Sequence, residues 1–282
     1  PHTNGLRKML TFNNLGNLGR LANQMFQYAS LKGIARKHGY EYCIPPLEVF
    51  GQNDPLVKAS ELNIYNVFDI GKNNTINILR NPMLQERMHE FDEELFNSCP
   101  DNIDLFGYYQ SPKYFEHIKD EIKSDFTFSK EVDTICTEMF DSIHSDQKVI
   151  SVHIRRTDYT VNPNHPVQPM SYYEQALKKF DKTDKILVFS DDPAWCKEQE
   201  LFADDSIMIS EGNDADIDLC LMSKCNYHII ANSSFSWWGA WLADSEHVIA
   251  PLDWFADSCA GKSVRDMVSV SYTHLTLPTI RE

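Results

Sequence analysis

The sequence predicts an α/β protein built on parallel, doubly wound sheets. Three observations carry this. In the second half of the chain short β-branched runs alternate with helical segments, as in successive βαβ units. Near the start, an apolar strand, a glycine-bearing turn and a helical run follow one another, the first unit of such a domain. Between them, KVISVHIRRTDY at 148–159 opens with Val149, Ile150, Val152 and Ile154, the nearly continuous apolar run of a strand covered on both faces.

A chain of 282 residues holds one large domain or two smaller ones, with ample core either way. Its net charge of −15 argues against nucleic acid and anionic membrane surfaces as partners. Seven cysteines, an odd number with no CxxC pair, indicate neither a disulfide framework nor a zinc ribbon; they read as free thiols of a reducing cytosol. No basic segment followed by an apolar run opens the chain, so no signal peptide is expected, and Met9 is a candidate native start. The longest uncharged run, 227–243, contains Asn232 and three serines and divides into a strand and a helix. No integral membrane segment is therefore expected, and the predicted location is cytoplasmic or peripheral to the membrane. The tail SYTHLTLPTIRE, 271–282, resembles a translated sequencing-library adapter and is set aside as non-native.

Taken in order, residues 10–12 form a short strand and NNLGNLGRLANQ a turn. The helix that follows carries Met25, Tyr28, Ala29, Leu31, Ile34 and Ala35 at helical spacing and stops at Gly39. Gly16 and Gly19 do not make GxGxxG, so a dinucleotide fingerprint is absent. The turn presents either helix-start N–H groups with Asn23 and Gln24 or plain capping by asparagine. Mixed loops are expected from 42 to about 84. Ile103, Leu105 and Phe106 then read as a strand, Ser111–Pro112 as a cap with proline at the first helical position, and Tyr114, Phe115, Ile118 and Ile122 as one helical face. Tyr108, Tyr109, Tyr114 and Phe115 make either core or a sugar-stacking surface. A helix at 130–142 leads to a polar break at 144–147, the expected domain junction.

The second half gives strands at 148–154, KILVFS, SIMIS and YHIIA, with helices at 171–180, after SDDPAW, at 216–224 and in SSFSWWGAWLA. In open α/β sheets ligands sit outside the carboxyl ends of the strands, which is where His153, Arg155, Arg156 and Asp158 fall. Adjacent arginines at a strand end call for an anion, although an exposed Arg–Asp pair is the plainer alternative. Asp191 and Asp192 follow the next strand; one can cap a helix while the other accepts from the N1–H and N2–H₂ edge of guanine. Ser233 and Ser234, with the N–H groups opening their helix, form an anion site, and Trp237, Trp238 and Trp241 read as core. Two tempting motifs fail. GKS at 261–263 lacks the leading glycine of a phosphate loop, and Asp214, Asp216 and Asp218 open a helix, where acids are favoured without a metal.

Together GRLANQMFQYA (19–29), FGYYQSPKYF (106–115), HIRRTDY (153–159), FSDDPAWCK (189–197) and NSSFSWWGAWLA (232–243) closely resemble the α-1,2-fucosyltransferases of glycosyltransferase family 11. The resemblance spans about residues 17 to 255, and HIRRTDY with SSFSWWGAW is its specific part. It implies a GT-B-like pair of Rossmann-type domains facing a cleft. An acceptor-side domain would cover 1–146 and a GDP-fucose-binding domain 147–270. The implied reaction is inverting transfer from GDP-β-L-fucose to the 2-OH of a galactose-terminated glycan, with no metal and no other cofactor. By the same resemblance Arg155 grips the β-phosphate, beside Arg156; His153 and Asp191 meet guanine; Ser233, Ser234 and Phe235 cradle the phosphates; and Asn23 reaches the fucose. Two departures stand out: Ala22 replaces a usual glycine, and the loop TVNPNHP has no acid after Asp158 to serve as base. Asp158 and His165 are the candidate bases, with Asp158 alternatively pairing a neighbouring arginine. The remaining alternatives are another fucosyl linkage, another GDP-sugar, or a carbohydrate-binding protein that ignores nucleotide.

Overall fold

The computed structural model describes residues 7–46, 63–70, 80–143, 146–182, 184–245, 247–256, 266 and 273–275. The chain forms two compact units that part between Ser129 and Lys130.

In the first unit, strands β1 (Met9–Thr11), β2 (Glu41–Cys43), β3 (Met83–Gln85) and β4 (Asp104–Phe106) pair in parallel in the order β2-β1-β4-β3. Helix α1 (Leu21–His38) connects β1 to β2 and buries residues on every side rather than one stripe. Several of its buried polar groups bond to backbone carbonyls: Gln27 Nε2 donates to Leu18 O and Gly107 O at 3.1 and 3.0 Å, and Ser30 Oγ to Tyr109 O at 3.0 Å. The helix ends at Gly39, whose φ of 66° is the left-handed conformation that glycine adopts without strain. Short helices α2 (Ile64–Val67), α3 (Glu93–Ser98) and α4 (Lys119–Asp125) complete this unit. Asn63 and Asp92 cap the first two through their side chains. Ser111 caps a 3₁₀ turn at Pro112–Tyr114, shorter than the helix expected there, and Tyr109, Tyr114 and Phe115 are core.

The second unit begins with helix α5 (Lys130–Ile143), ahead of the polar break at 144–147 expected as the junction. Strands β5 (Val149–Ile154), β6 (Lys185–Ser190), β7 (Ile207–Ile209), β8 (Tyr227–Ile229), β9 (His247–Pro251) and β10 (Thr273–Leu275) pair in parallel in the order β7-β6-β5-β8-β9-β10. The segment set aside as non-native thus supplies the edge strand β10. Helices α6 (Met170–Leu177), α7 (Pro193–Lys197), α8 (Ala215–Lys224) and α9 (Ser234–Leu242) provide the crossovers. Contacts between α5 and α8 include Cys136 Sγ donating to Ile217 O at 3.6 Å and Lys224 pairing with Asp133 at 2.7 Å.

β5 is buried along its whole length, as its β-branched run requires. One core packs Val152, Ile154, Val188, Ile229 and Ile249 against Tyr172, Tyr173 and Ala176 of α6. Trp237, Trp238 and Trp241 are buried against one another on α9, with ring centroids 4.9 to 6.2 Å apart. That helix lies so close to α8 that a Cβ at Gly239 would meet Met222 Cβ at 2.8 Å, which is why glycine stands there. Each of the described cysteines is free and buried. Among the described residues no helix is long and apolar enough to cross a membrane.

Candidate active site

The strand order fixes where a ligand site forms in the second unit. From β5 the chain proceeds through β6 and β7 on one side and through β8, β9 and β10 on the other, so the crevice opens outside the carboxyl ends of β5 and β8. The register sets Ile154 beside Ser190 and Val152 beside Ile229. The residues that follow each strand, 155–159, 191–192 and 230–235, are therefore neighbours.

Arg155 is the centre of this cluster. Its Nη2 lies 2.6 Å from Asp158 Oδ1 and its Nη1 3.3 Å from Asp191 Oδ2, and its guanidinium carbon stands 5.4 Å from the Tyr159 ring centroid. Two carboxylates and an aromatic face thus hold one cation, only 20% exposed, at the strand end. Asp158 is paired with Arg155, the structural role weighed for it above.

Asp191 brackets the turn that carries Arg155. Its Oδ1 accepts from Arg156 N at 2.9 Å, and its Oδ2 from Thr157 N at 3.1 Å and from the Thr157 hydroxyl. Burial alone would raise its pKa, but the Thr157 hydrogen bond and the Arg155 charge outweigh it, and the carboxyl sits below its ordinary range. Arg156 is engaged elsewhere: its Nε donates to Asp192 at 3.2 Å, and its guanidinium lies 3.7 Å from the Trp195 ring centroid. Asp192 also caps α7 by accepting from Trp195 N at 3.2 Å.

His153, 4% exposed, is held with Nδ1 and Ser236 Oγ 2.8 Å apart, while the Phe235 ring lies 5.8 Å from the imidazole. Burial, reinforced by the Arg155 charge, pushes its pKa down to about 3, so the ring is neutral at working pH. Ser233 caps α9, its Oγ accepting from Phe235 N at 3.3 Å, and Ser234 is the first helical residue. This helix start, with its partial positive charge, stands at the end of β8.

The loop after Arg155 is pinned by residues the motifs contain but whose roles spacing does not reveal. Tyr159 Oη donates to Asn232 O at 2.9 Å, and the Tyr159 ring stacks on His165 with centroids 5.0 Å apart. Asn232 Nδ2 donates to Pro166 O at 3.0 Å and to Trp254 O at 2.9 Å. The Phe255 ring also lies 5.4 Å from that of His165, tilted by 47°.

Asn23 belongs to the first unit, on the first turn of α1. Its Oδ1 accepts from Gln110 Nε2 at 2.6 Å. Gln110 follows a turn held by Glu86, which sequence analysis did not single out: its two oxygens accept from Tyr108 N and Tyr109 N at 2.8 Å each. The bond spans a turn in which Tyr109 adopts φ of 50°. Burial pushes the Glu86 carboxyl up despite these two donors.

Among the described residues no group of three His, Cys, Asp or Glu side chains is placed to hold a metal ion. At the start of α8, Asp218 accepts from Ser210 Oγ at 2.6 Å and burial pushes it up to about 6. The GKS segment lies outside the described residues.

The family model "Glycosyl transferase family 11" matches residues 2–267. The chain belongs to that family. This family 11 glycosyltransferase is 34% identical to an alpha-1,2-colitosyltransferase of Escherichia coli, over 88% of the chain and 96% of the relative. It is 29% identical to the O-antigen biosynthesis glycosyltransferase WbnK of the same species, with the same coverage. It is 28% identical to the galactoside alpha-(1,2)-fucosyltransferase 2 of Sus scrofa, over 88% of the chain and 74% of the relative. Among solved structures, the fucosyltransferase NodZ from Bradyrhizobium matches 83% of the chain and 93% of its own, with a TM-score of 0.55 at 14% identity. The fold is thus shared where the sequence has diverged, and the GT-B class expected from the motifs holds.

Proposed function

We propose that this glycosyltransferase transfers L-fucose from GDP-β-L-fucose to the 2-OH of a galactoside, with inversion and without a metal. The observation that carries the donor side is Arg155, fixed by Asp158, Asp191 and Tyr159 at the end of β5 and at the switch in strand order. The relatives named as α-1,2-fucosyltransferases support the linkage.

Breaking the fucose–phosphate bond places negative charge on the leaving β-phosphate. A guanidinium near it contributes about 4 kcal/mol of attraction at an effective dielectric near 20 and a separation of about 4 Å. The N–H groups opening α9 add donors that need no reorganisation as charge develops. This pair takes the part that Mg²⁺ or Mn²⁺ plays elsewhere. Asp158, committed to Arg155, positions the grip. Proton removal from the attacking hydroxyl falls to His165, an imidazole held by Tyr159 and Phe255 in a loop tied to Asn232.

A second reading is favoured by the 34% identical colitosyltransferase: the same linkage, with colitose as the sugar transferred. A carbohydrate-binding protein without transfer is the reading from another class. Thermal shift separates binding classes directly. GDP should raise the melting temperature where free fucose and lactose do not; stabilisation by lactose alone would favour the binding protein.

A further inference from the structure

His153 Nδ1 lies 2.8 Å from Ser236 Oγ, and it is the ring nitrogen that has a hydrogen-bond partner among the described residues. Ser236 is on the first turn of α9, and its hydroxyl donates to Ser233 O at 3.4 Å, three residues back. A serine hydroxyl has one proton. Directing that proton to Ser233 O while Nδ1–H donates to Oγ satisfies both contacts, whereas donation from Oγ to Nδ1 satisfies only one; the arrangement that makes both bonds puts the hydrogen on Nδ1. Because burial keeps the imidazole neutral, the other nitrogen, Nε2, then holds a lone pair. The rest of the residue is fixed as well, since Tyr173 Oη donates to His153 O at 2.9 Å and Phe235 flanks the ring.

We infer that Ser236 is a positioning residue that sets His153 as its Nδ1–H tautomer, leaving Nε2 as a hydrogen-bond acceptor for an N–H donor of the nucleotide base. This rests on the GDP-donor reading above. Guanine presents such donors at N1–H and N2–H₂. Asp191, the other acceptor expected to meet them, has both oxygens engaged by the Arg156 and Thr157 backbone and by Arg155. Its Oδ1, which among the described residues accepts only from Arg156 N, keeps a lone pair, so His153 Nε2 reads the donor edge alongside Asp191.

Two measurements test this on the full chain. Long-range ¹⁵N–¹H correlation on the wild-type protein without nucleotide should show Nδ1 protonated and Nε2 unprotonated at His153. Calorimetry should find GDP binding weakened roughly 3- to 10-fold in Ser236→Ala, the loss of one neutral hydrogen bond, and largely restored in Ser236→Thr, which keeps the hydroxyl. An Nε2–H tautomer in the wild-type protein, or unchanged GDP affinity in Ser236→Ala, overturns the inference. Failure of the wild-type protein to bind GDP at all would sink the donor reading instead, and the tautomer, read without ligand, tells the two failures apart.

Discussion

Replacing Arg155 by lysine keeps the charge and removes the fork, which isolates what geometry contributes to the phosphate grip. In the wild-type protein Nη2 faces Asp158 at 2.6 Å and Nη1 faces Asp191 at 3.3 Å, so the two carboxylates fix the guanidinium plane. The remaining N–H groups of that plane are then held ready for two phosphate oxygens at once. A lysine ammonium is a point donor that cannot span both carboxylates and still reach a phosphate in two places. The Coulomb attraction survives, and the expected loss is one charge-assisted hydrogen bond, about 1.5 to 3 kcal/mol. Realised in the transition state, that is a fall in kcat of roughly 10- to 150-fold. The assay is initial-rate GDP release with GDP-fucose and a β-galactoside, with melting temperature measured in parallel to confirm folding. A kcat within about threefold of wild type in a folded Arg155→Lys protein would refute the reasoning, because the fork would then be doing nothing that a simple charge does not.

The other expectations concern the base, the metal and pH. Asp158→Asn should lower kcat less than about tenfold, whereas His165→Gln should lose about two to four orders of magnitude; the reverse pattern in initial rates would exchange their roles. Turnover should survive excess EDTA, and loss with rescue by Mn²⁺ would assign Asp214, Asp216 and Asp218 to a metal instead. His228 is fully buried with its Nε2 2.8 Å from Met222 O, and burial pushes its pKa down to about 4, below the ordinary value near 6.5. As pH falls the unfolded chain takes up this proton first, so stability is lost between about pH 6.5 and 4. By denaturant titration the lead of wild type over His228→Asn should therefore shrink by about 2 kcal/mol from pH 7 to pH 5, and a constant lead would show that His228 is not the titrating group.

What the sequence revealed follows from where its signals are strong. β5 was legible because a strand buried along its whole length needs a nearly continuous β-branched run, and β6 from its apolar run Ile186–Phe189. The α1 unit was legible from its turn and from Gly39 even though the helix is buried all round and has no polar stripe to mark it. By contrast β2, β3 and β9 escaped notice. β2 and β3 are three residues each, and β3, with Met83 58% exposed, has an edge position and no period to detect. In the site, a topological rule was enough to bring residues 153–158, 191 and 233–235 together at the strand ends. The directions of their side chains were not legible, because they depend on loop torsions. Arg156, at φ −132° and ψ −70°, sends its guanidinium to Trp195 while its neighbour Arg155 meets Asp158. Glu86 is invisible to motif reading for a related reason: its work is to hold two backbone N–H groups far along the chain, a pairing that only the folded turn creates.

Fucose transfer from a GDP donor in α-1,2 linkage is decided by incubating the protein with GDP-fucose, EDTA and a panel of β-galactosides and determining the linkage of any product. The account predicts a fucosylated galactoside with the new bond at the galactose 2-OH and α configuration. A product with another linkage or with retained configuration, or hydrolysis of GDP-fucose without transfer to any galactoside, would contradict it.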